Sequence, residues 1–134
     1  MNDMNDVNDW CFACGPKNPI GLKLTFREEN DMYLSNFTAG PEHQSYNGIM
    51  HGGLISTLLD EIMARFLYAK GLTAVTAKLE VRYRQPTPIG ENLTISGWIV
   101  SQRGKMYELA GKITLPDGTV TAEGKSMVAI KGDE

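Results

Sequence analysis

The strongest periodic signal lies in the middle of the chain. From Leu54 to Lys70 the large apolar residues are Leu54, Ile55, Leu58, Leu59, Ile62, Met63, Phe66 and Leu67, spaced to form one face of a helix. Gly71, directly after Lys70, is a stop signal for it. Beyond Gly71 the period drops to two. AVTAKLEVRYRQ alternates Val75, Ala77, Leu79, Val81 and Tyr83 against Thr76, Lys78, Glu80, Arg82 and Arg84, which predicts a strand with two unlike faces. NLTISGWIV, MYELAGKITL and TVTAEGKSMVAI continue the strand pattern, and Pro116-Asp117-Gly118 between the last two is a hairpin turn signal. Ahead of the helix, CGPKNPIGL reads as loop, LKLTF and MYLSNF as short strands joined by a turn at EEND, and residues 38–50 as irregular chain.

Two short strands, one long apolar helix and an antiparallel meander give an α+β fold. The helix lies across the concave face of a curled sheet, so both bury their apolar sides. A sheet this small leaves edges, which a second copy commonly covers. A homodimer or homotetramer is therefore expected.

At 134 residues the chain suits one domain. Its net charge of −3 is unevenly distributed. Residues 1–9 hold Asp3, Asp6 and Asp9 and no cation, a low-complexity stretch that predicts a disordered acidic tail ahead of a single domain over 10–134. Residues 62–131 carry ten Lys and Arg against five Asp and Glu. That balance excludes a strongly basic nucleic-acid binder and leaves room for a small anionic ligand. There is no apolar run long enough to span a membrane and no signal-peptide pattern, so a cytoplasmic protein without membrane or nucleic-acid partners is expected. Cys11 and Cys14 have the C-x-x-C spacing of zinc and redox sites, but zinc needs further ligands, and His43 and His51 are not spaced as a partner pair. The favoured reading is a small buried anchor, with no metal.

Chemistry concentrates around the helix. His51-Gly52-Gly53 opens it, and two glycines let backbone approach a ligand closely while first-turn amides remain available to a developing negative charge. The same glycines also suit a plain loop-to-helix junction. Asp60 falls on one margin of the apolar stripe, beyond the turn where the helix dipole favours a carboxylate. Glu61 falls on the other margin, where an i, i+4 ion pair with Arg65 is the simplest expectation. Thr76 gains meaning only if its strand passes beside Asp60. Lys78, Arg82 and Arg84, with Lys105, Lys112 and Lys125 further on, form either a solvated face or a grip for phosphates.

Taken together, His51-Gly52-Gly53, six residues and then Asp60, followed by a strand with Thr76 and ending at Pro86, resemble the hot-dog-fold acyl-CoA thioesterases of the PaaI-like, phenylacetate-pathway type. CFACGPKNPIGLKLTF and HQSYNGIMHGGLISTLLDE extend the resemblance to nearly the whole chain. It implies a thioester hydrolase working as a dimer or dimer of dimers, with an acyl-CoA as substrate and no separate cofactor, since coenzyme A is part of that substrate. Asp60 matches the carboxylate that serves as general base or nucleophile, and Gly53 the amide that polarises the thioester carbonyl. Thr76 matches a hydroxyl that holds the water or the carboxylate, and His51 a residue orienting the carbonyl end. Gln44 and Asn47 both stand near the family's substrate-contacting amide, and Gly52, Arg82 and Arg84 complete the expected substrate contacts. Two other readings keep the fold: a non-catalytic acyl-CoA-binding or sensing module, and an acyl-thioester dehydratase.

Overall fold

The computed structural model describes residues 9–131. The expected acidic tail lies almost wholly outside them. The ordered elements are β1 (Arg27–Glu29), β2 (Met32–Thr38), a 3₁₀ turn (Pro41–His43), α1 (Gly52–Ala69), β3 (Ala74–Tyr83), β4 (Asn92–Arg103), β5 (Met106–Thr114) and β6 (Val120–Ile130). All strand pairs are antiparallel, in one six-stranded sheet of order β1-β2-β4-β5-β6-β3. This is the expected α+β arrangement, with β3 on an edge.

The helix is as the apolar spacing requires. Ile55, Leu58, Leu59, Ile62, Met63, Phe66 and Leu67 are buried against Leu93, Ile95, Leu109, Ile113, Ala122 and Val128 of the sheet. Each such side chain contributes roughly 1.5–3 kcal/mol when taken out of water. The close seating of α1 depends on a row of glycines. Gly97 pairs with Gly111 and Gly111 with Gly124, so three adjacent strands lack a side chain at one level. A Cβ at Gly97 meets Ile62 Cγ2 at 3.2 Å, and one at Gly124 meets Met63 Cε at 3.3 Å. The helix lies in the trough that these glycines leave. At its C-terminus Gly71 takes φ +86°, as a left-handed stop requires.

Two expectations about strands need correction. LKLTF forms no ladder: strand pairing begins at Arg27, and Leu22 and Leu24 are buried as an extended anchor bonded to the N-terminal loop through Leu22 N to Phe12 O and Leu24 N to Ala13 O. The EEND turn is likewise later and tighter. Glu28 and Glu29 belong to β1, and Asn30 and Asp31 alone reverse the chain with φ of 52° and 64°.

A third correction bears on function. In β3, Thr76 pairs with Val128 and Lys78 with Met127, so Ala77 is an extra residue, a β-bulge. Before it Ala74 and Thr76 face the helix; after it Leu79, Val81 and Tyr83 do, opposite the inward Ser126, Gly124 and Ala122. Strict alternation placed Thr76 on the face of Lys78, Arg82 and Arg84. The bulge reverses that and turns Thr76 inward.

Candidate functional site

The site is built on the N-terminal half of α1 and the strand beside it. His51 caps the helix: its Nδ1 accepts from Gly53 N at 2.9 Å, and its carbonyl accepts from Leu54 N and Ile55 N. Three first-turn amides thus turn to His51, and Gly52 is the helical amide that it does not engage. The capped start satisfies donors that a helix otherwise leaves open. It also means that the Gly53 amide is held by a side chain whose residue is exposed, in a bond that rotation of the imidazole breaks.

Tyr83, which the sequence reading did not single out, completes this end. Its hydroxyl donates to Gly52 O at 2.9 Å and lies 2.8 Å from Ser56 Oγ. A Cβ on Gly52 sits 3.4 Å from the Tyr83 ring. The signal was present in the alternation of β3, where Tyr83 shares the face of Leu79 and Val81 while staying half-exposed.

Two helical turns on, Thr76 Oγ1 donates to Asp60 Oδ1 at 2.8 Å, with both residues half-buried. Only one carboxylate oxygen is engaged there. The four residues expected to carry the chemistry therefore form two centres on one helix–strand pair, with His51 and Gly53 at the helix start and Asp60 and Thr76 further along.

The remaining expected contacts divide. Gln44 spends its side chain on the loop, donating to Pro41 O at 3.1 Å and accepting from Gly48 N. Asn47 is exposed, and its side chain makes no hydrogen bond among the described residues. Arg82 and Arg84 lie on the opposite face of the sheet from Asp60, along a groove of about 850 Å³ shared with Trp98, Lys112, Glu123 and Lys125. Charges there are interleaved: Arg82 pairs in register with Glu123 and Glu80 with Lys125, and Arg84 reaches Glu123 at 2.8 Å. The Arg84 hydrogen bond holds the Glu123 carboxyl below the usual range. The excess of cations in this half of the chain is thus a mixed, solvated face rather than a cluster at the carboxylate.

Glu61 also departs from expectation. No ion pair to Arg65 is formed among the described residues. Instead Arg65 lies over the rings of Phe26 and Tyr68, at the side of a Phe26–Tyr33–Phe66 stack, where aromatic faces attract a cation. Glu61 turns toward the N-terminal loop and accepts from Cys11 Sγ at 3.9 Å.

Comparison with known proteins bears on all of this. The model of the thioesterase superfamily matches residues 47–122. Human acyl-coenzyme A thioesterase 13 is 32% identical over 91 residues, which cover 63% of this chain and 62% of that protein. The Bos taurus acyl-coenzyme A thioesterase THEM4 is 23% identical over 108 residues, covering 79% of this chain and 44% of the relative. The chain thus spans about three-fifths, or less, of the length of these curated relatives. Among solved structures, a thioesterase superfamily protein superposes with TM-score 0.81 at 29% identity, over 86% of this chain and 60% of that one. The Escherichia coli PaaI protein from the phenylacetic acid degradation operon gives 0.77 at 18% identity, over 83% and 81%. A Streptococcus pneumoniae thioesterase solved with coenzyme A gives 0.76 at 22% identity, over 83% and 88%. These neighbours share the hot-dog fold. No helix among the described residues is long and apolar enough to cross a membrane.

Proposed function

This chain belongs to the thioesterase superfamily, and from that premise we propose that it hydrolyses an acyl-CoA thioester to a free acid and coenzyme A. The observation that carries the reading is the 2.8 Å bond from Thr76 to Asp60. It fixes one carboxylate oxygen and leaves the other to act, which is what a general base or a nucleophile requires. As base, Asp60 takes a proton from water while the hydroxyl adds to the thioester carbon. As nucleophile, it adds directly and water later cleaves the anhydride. In either route the carbon–sulfur bond breaks and the coenzyme thiolate departs as a good leaving group. The negative charge that grows on the carbonyl oxygen is met by a glycine amide at a helix N-terminus. Gly53 serves once His51 releases it, and His51 then orients the carbonyl end. Asn47, with its side chain unengaged, is the better candidate than Gln44 for the substrate-contacting amide. An aspartate and a threonine sixteen residues apart were each replaced by alanine in structures of the Streptococcus pneumoniae thioesterase, the spacing of Asp60 and Thr76 here.

A second copy is part of this reading. Asp60 lies seven positions after Gly53, about 10 Å along a helix at 1.5 Å per residue. An attacking atom and an oxyanion donor must both lie about 3 Å from one carbonyl group. Asp60 of one protomer therefore works with the glycine amide of another. Strand β3 supports the pairing, since it is a ten-residue edge strand that carries the half-exposed Val75 beside Thr76. The groove of Arg82 and Arg84 lies on the sheet's other face, where these residues meet the distal, phosphate-bearing part of the coenzyme only if it folds over the sheet edge.

The test is thiol release from short, medium, long and aromatic acyl-CoAs, with binding followed in parallel. Release from at least one class with turnover is the expected result. Binding without thiol release across the whole panel would instead identify an acyl-CoA-binding module. The dehydratase reading has less support, because it calls for a histidine paired with a carboxylate, whereas Asp60 is bonded to Thr76 and His51 to Gly53.

A further inference from the structure

We propose that Cys11, Cys14 and Glu61 form a site for a thiophilic divalent cation of the Zn²⁺ class. The C-x-x-C pair lacks a histidine partner, but the fold supplies a third donor from fifty residues away. The ligand atoms of the three residues all lie within 4.8 Å of one another. A tetrahedral ion with Zn–S near 2.3 Å and Zn–O near 2.0–2.2 Å holds its donors roughly 3.5–3.8 Å apart, so closing the site needs only side-chain adjustment. Cys14 is buried and Cys11 half-buried, which leaves the outer side of the cluster to a water molecule as fourth donor.

Three further features favour an ion there. The loop is held in shape by its backbone, with Gly15 N donating to Cys11 O at 2.7 Å, Leu22 N to Phe12 O at 2.8 Å and Leu24 N to Ala13 O at 3.0 Å. The donors therefore need little ordering. Glu61 is a half-buried carboxylate without a cationic partner among the described residues, and its hydrogen bond to Cys11 is long at 3.9 Å. Finally, Arg65, one helical turn from Glu61, carries a buried Nε–H that finds no acceptor among the described residues. Two thiolates, one carboxylate and a divalent ion leave a charge of −1, which the neighbouring guanidinium balances. A metal takes its cysteine ligands as thiolates, so binding releases protons and strengthens as pH rises. Softness selects the ion, since paired thiolates prefer Zn²⁺ to Mg²⁺ or Ca²⁺.

The site would pin the N-terminal loop to α1 at the residue next to Asp60, and its role is structural, so binding and stability are its readouts. The experiment loads the reduced full chain with Zn²⁺, removes free metal and measures retained zinc, then repeats the titration with Co²⁺. About one equivalent of retained zinc is expected, with a thiolate-to-cobalt charge-transfer band and a Tm that rises by roughly 5 °C with zinc and falls back on chelation. Cys11→Ser and Cys14→Ser lose the retained metal and the band. Glu61→Gln keeps the band but holds zinc at least about 10-fold more weakly. The wild-type comparison with and without chelator needs no variant to fold. Zinc retention equal to that of the Cys11→Ser/Cys14→Ser double variant overturns the proposal, as does a cobalt spectrum without a thiolate band.

Discussion

Asp60 and Glu61 are adjacent carboxylates on one helix, yet they serve different parts of the molecule. Asp60 leans toward the edge strand and is held by the Thr76 hydroxyl. Glu61, about 100° further round the helix, leans toward the N-terminal loop and its two thiols. A hydroxyl on a rigid strand orients a carboxylate while leaving one oxygen to react. Two thiols on a clamped loop make a carboxylate part of a ligand set. The contrast shows that the partners of a helix residue are chosen by the element it faces rather than by the helix that carries it.

That contrast breaks most sharply under exchange of each acid for its amide. Asp60→Asn is expected to lower thiol release from a turned-over acyl-CoA by about 10²–10⁴-fold, the usual worth of a positioned base, with the oligomer unchanged by size-exclusion chromatography. Glu61→Gln is expected to stay within about 3-fold of wild type in the same assay. Equal losses would mean that the two carboxylates share one task.

Thr76 sharpens the comparison at the next level. Thr76→Val keeps the shape and removes the donor to Asp60, and a loss of roughly 10-fold in kcat is expected, matching about 1.4 kcal/mol for a hydrogen bond to a charged group. Thr76→Ser restores most of the rate. A Thr76→Val enzyme with unchanged kcat would remove the positioning role.

The smallest effect concerns the thiol side. In metal-free protein the folded Cys14 titrates above the ordinary thiol value of 9.0 because burial and Glu61 disfavour the thiolate. The folded state therefore binds more protons than the unfolded chain once pH exceeds that value, and stability falls as pH rises further. Urea unfolding between pH 8 and 10.5 is expected to show this decline in wild type and a shallower one in Cys14→Ala.

The division between Asp60 and Glu61 was partly visible in advance. Helical spacing put them on opposite margins of the apolar stripe, and Asp60 lacked a local reason to be there. Glu61 had a local partner available in Arg65, and proximity in sequence made that pairing the natural expectation. The rings of Phe26 and Tyr68 override it by offering the guanidinium an aromatic surface. The face of Thr76 was misread for a related reason. A period of two assumes an unbroken ladder, and the extra residue at Ala77 shifts the phase without any mark in composition.

By itself, the sequence determined the long apolar helix, its glycine stop, the meander that covers it and the His51-Gly52-Gly53 start. These features depend on residues a few positions apart, where side-chain period and turn chemistry act directly. Only the tertiary structure decided that Thr76 meets Asp60, that Tyr83 reaches the helix start, that Arg82 and Arg84 lie on the far face, and that Glu61 joins Cys11 and Cys14. Those outcomes depend on strand register and on packing between distant segments. A single bulge turns a side chain to the other face of the sheet, and two aromatic rings hold a guanidinium that sequence spacing assigns to a carboxylate one turn away.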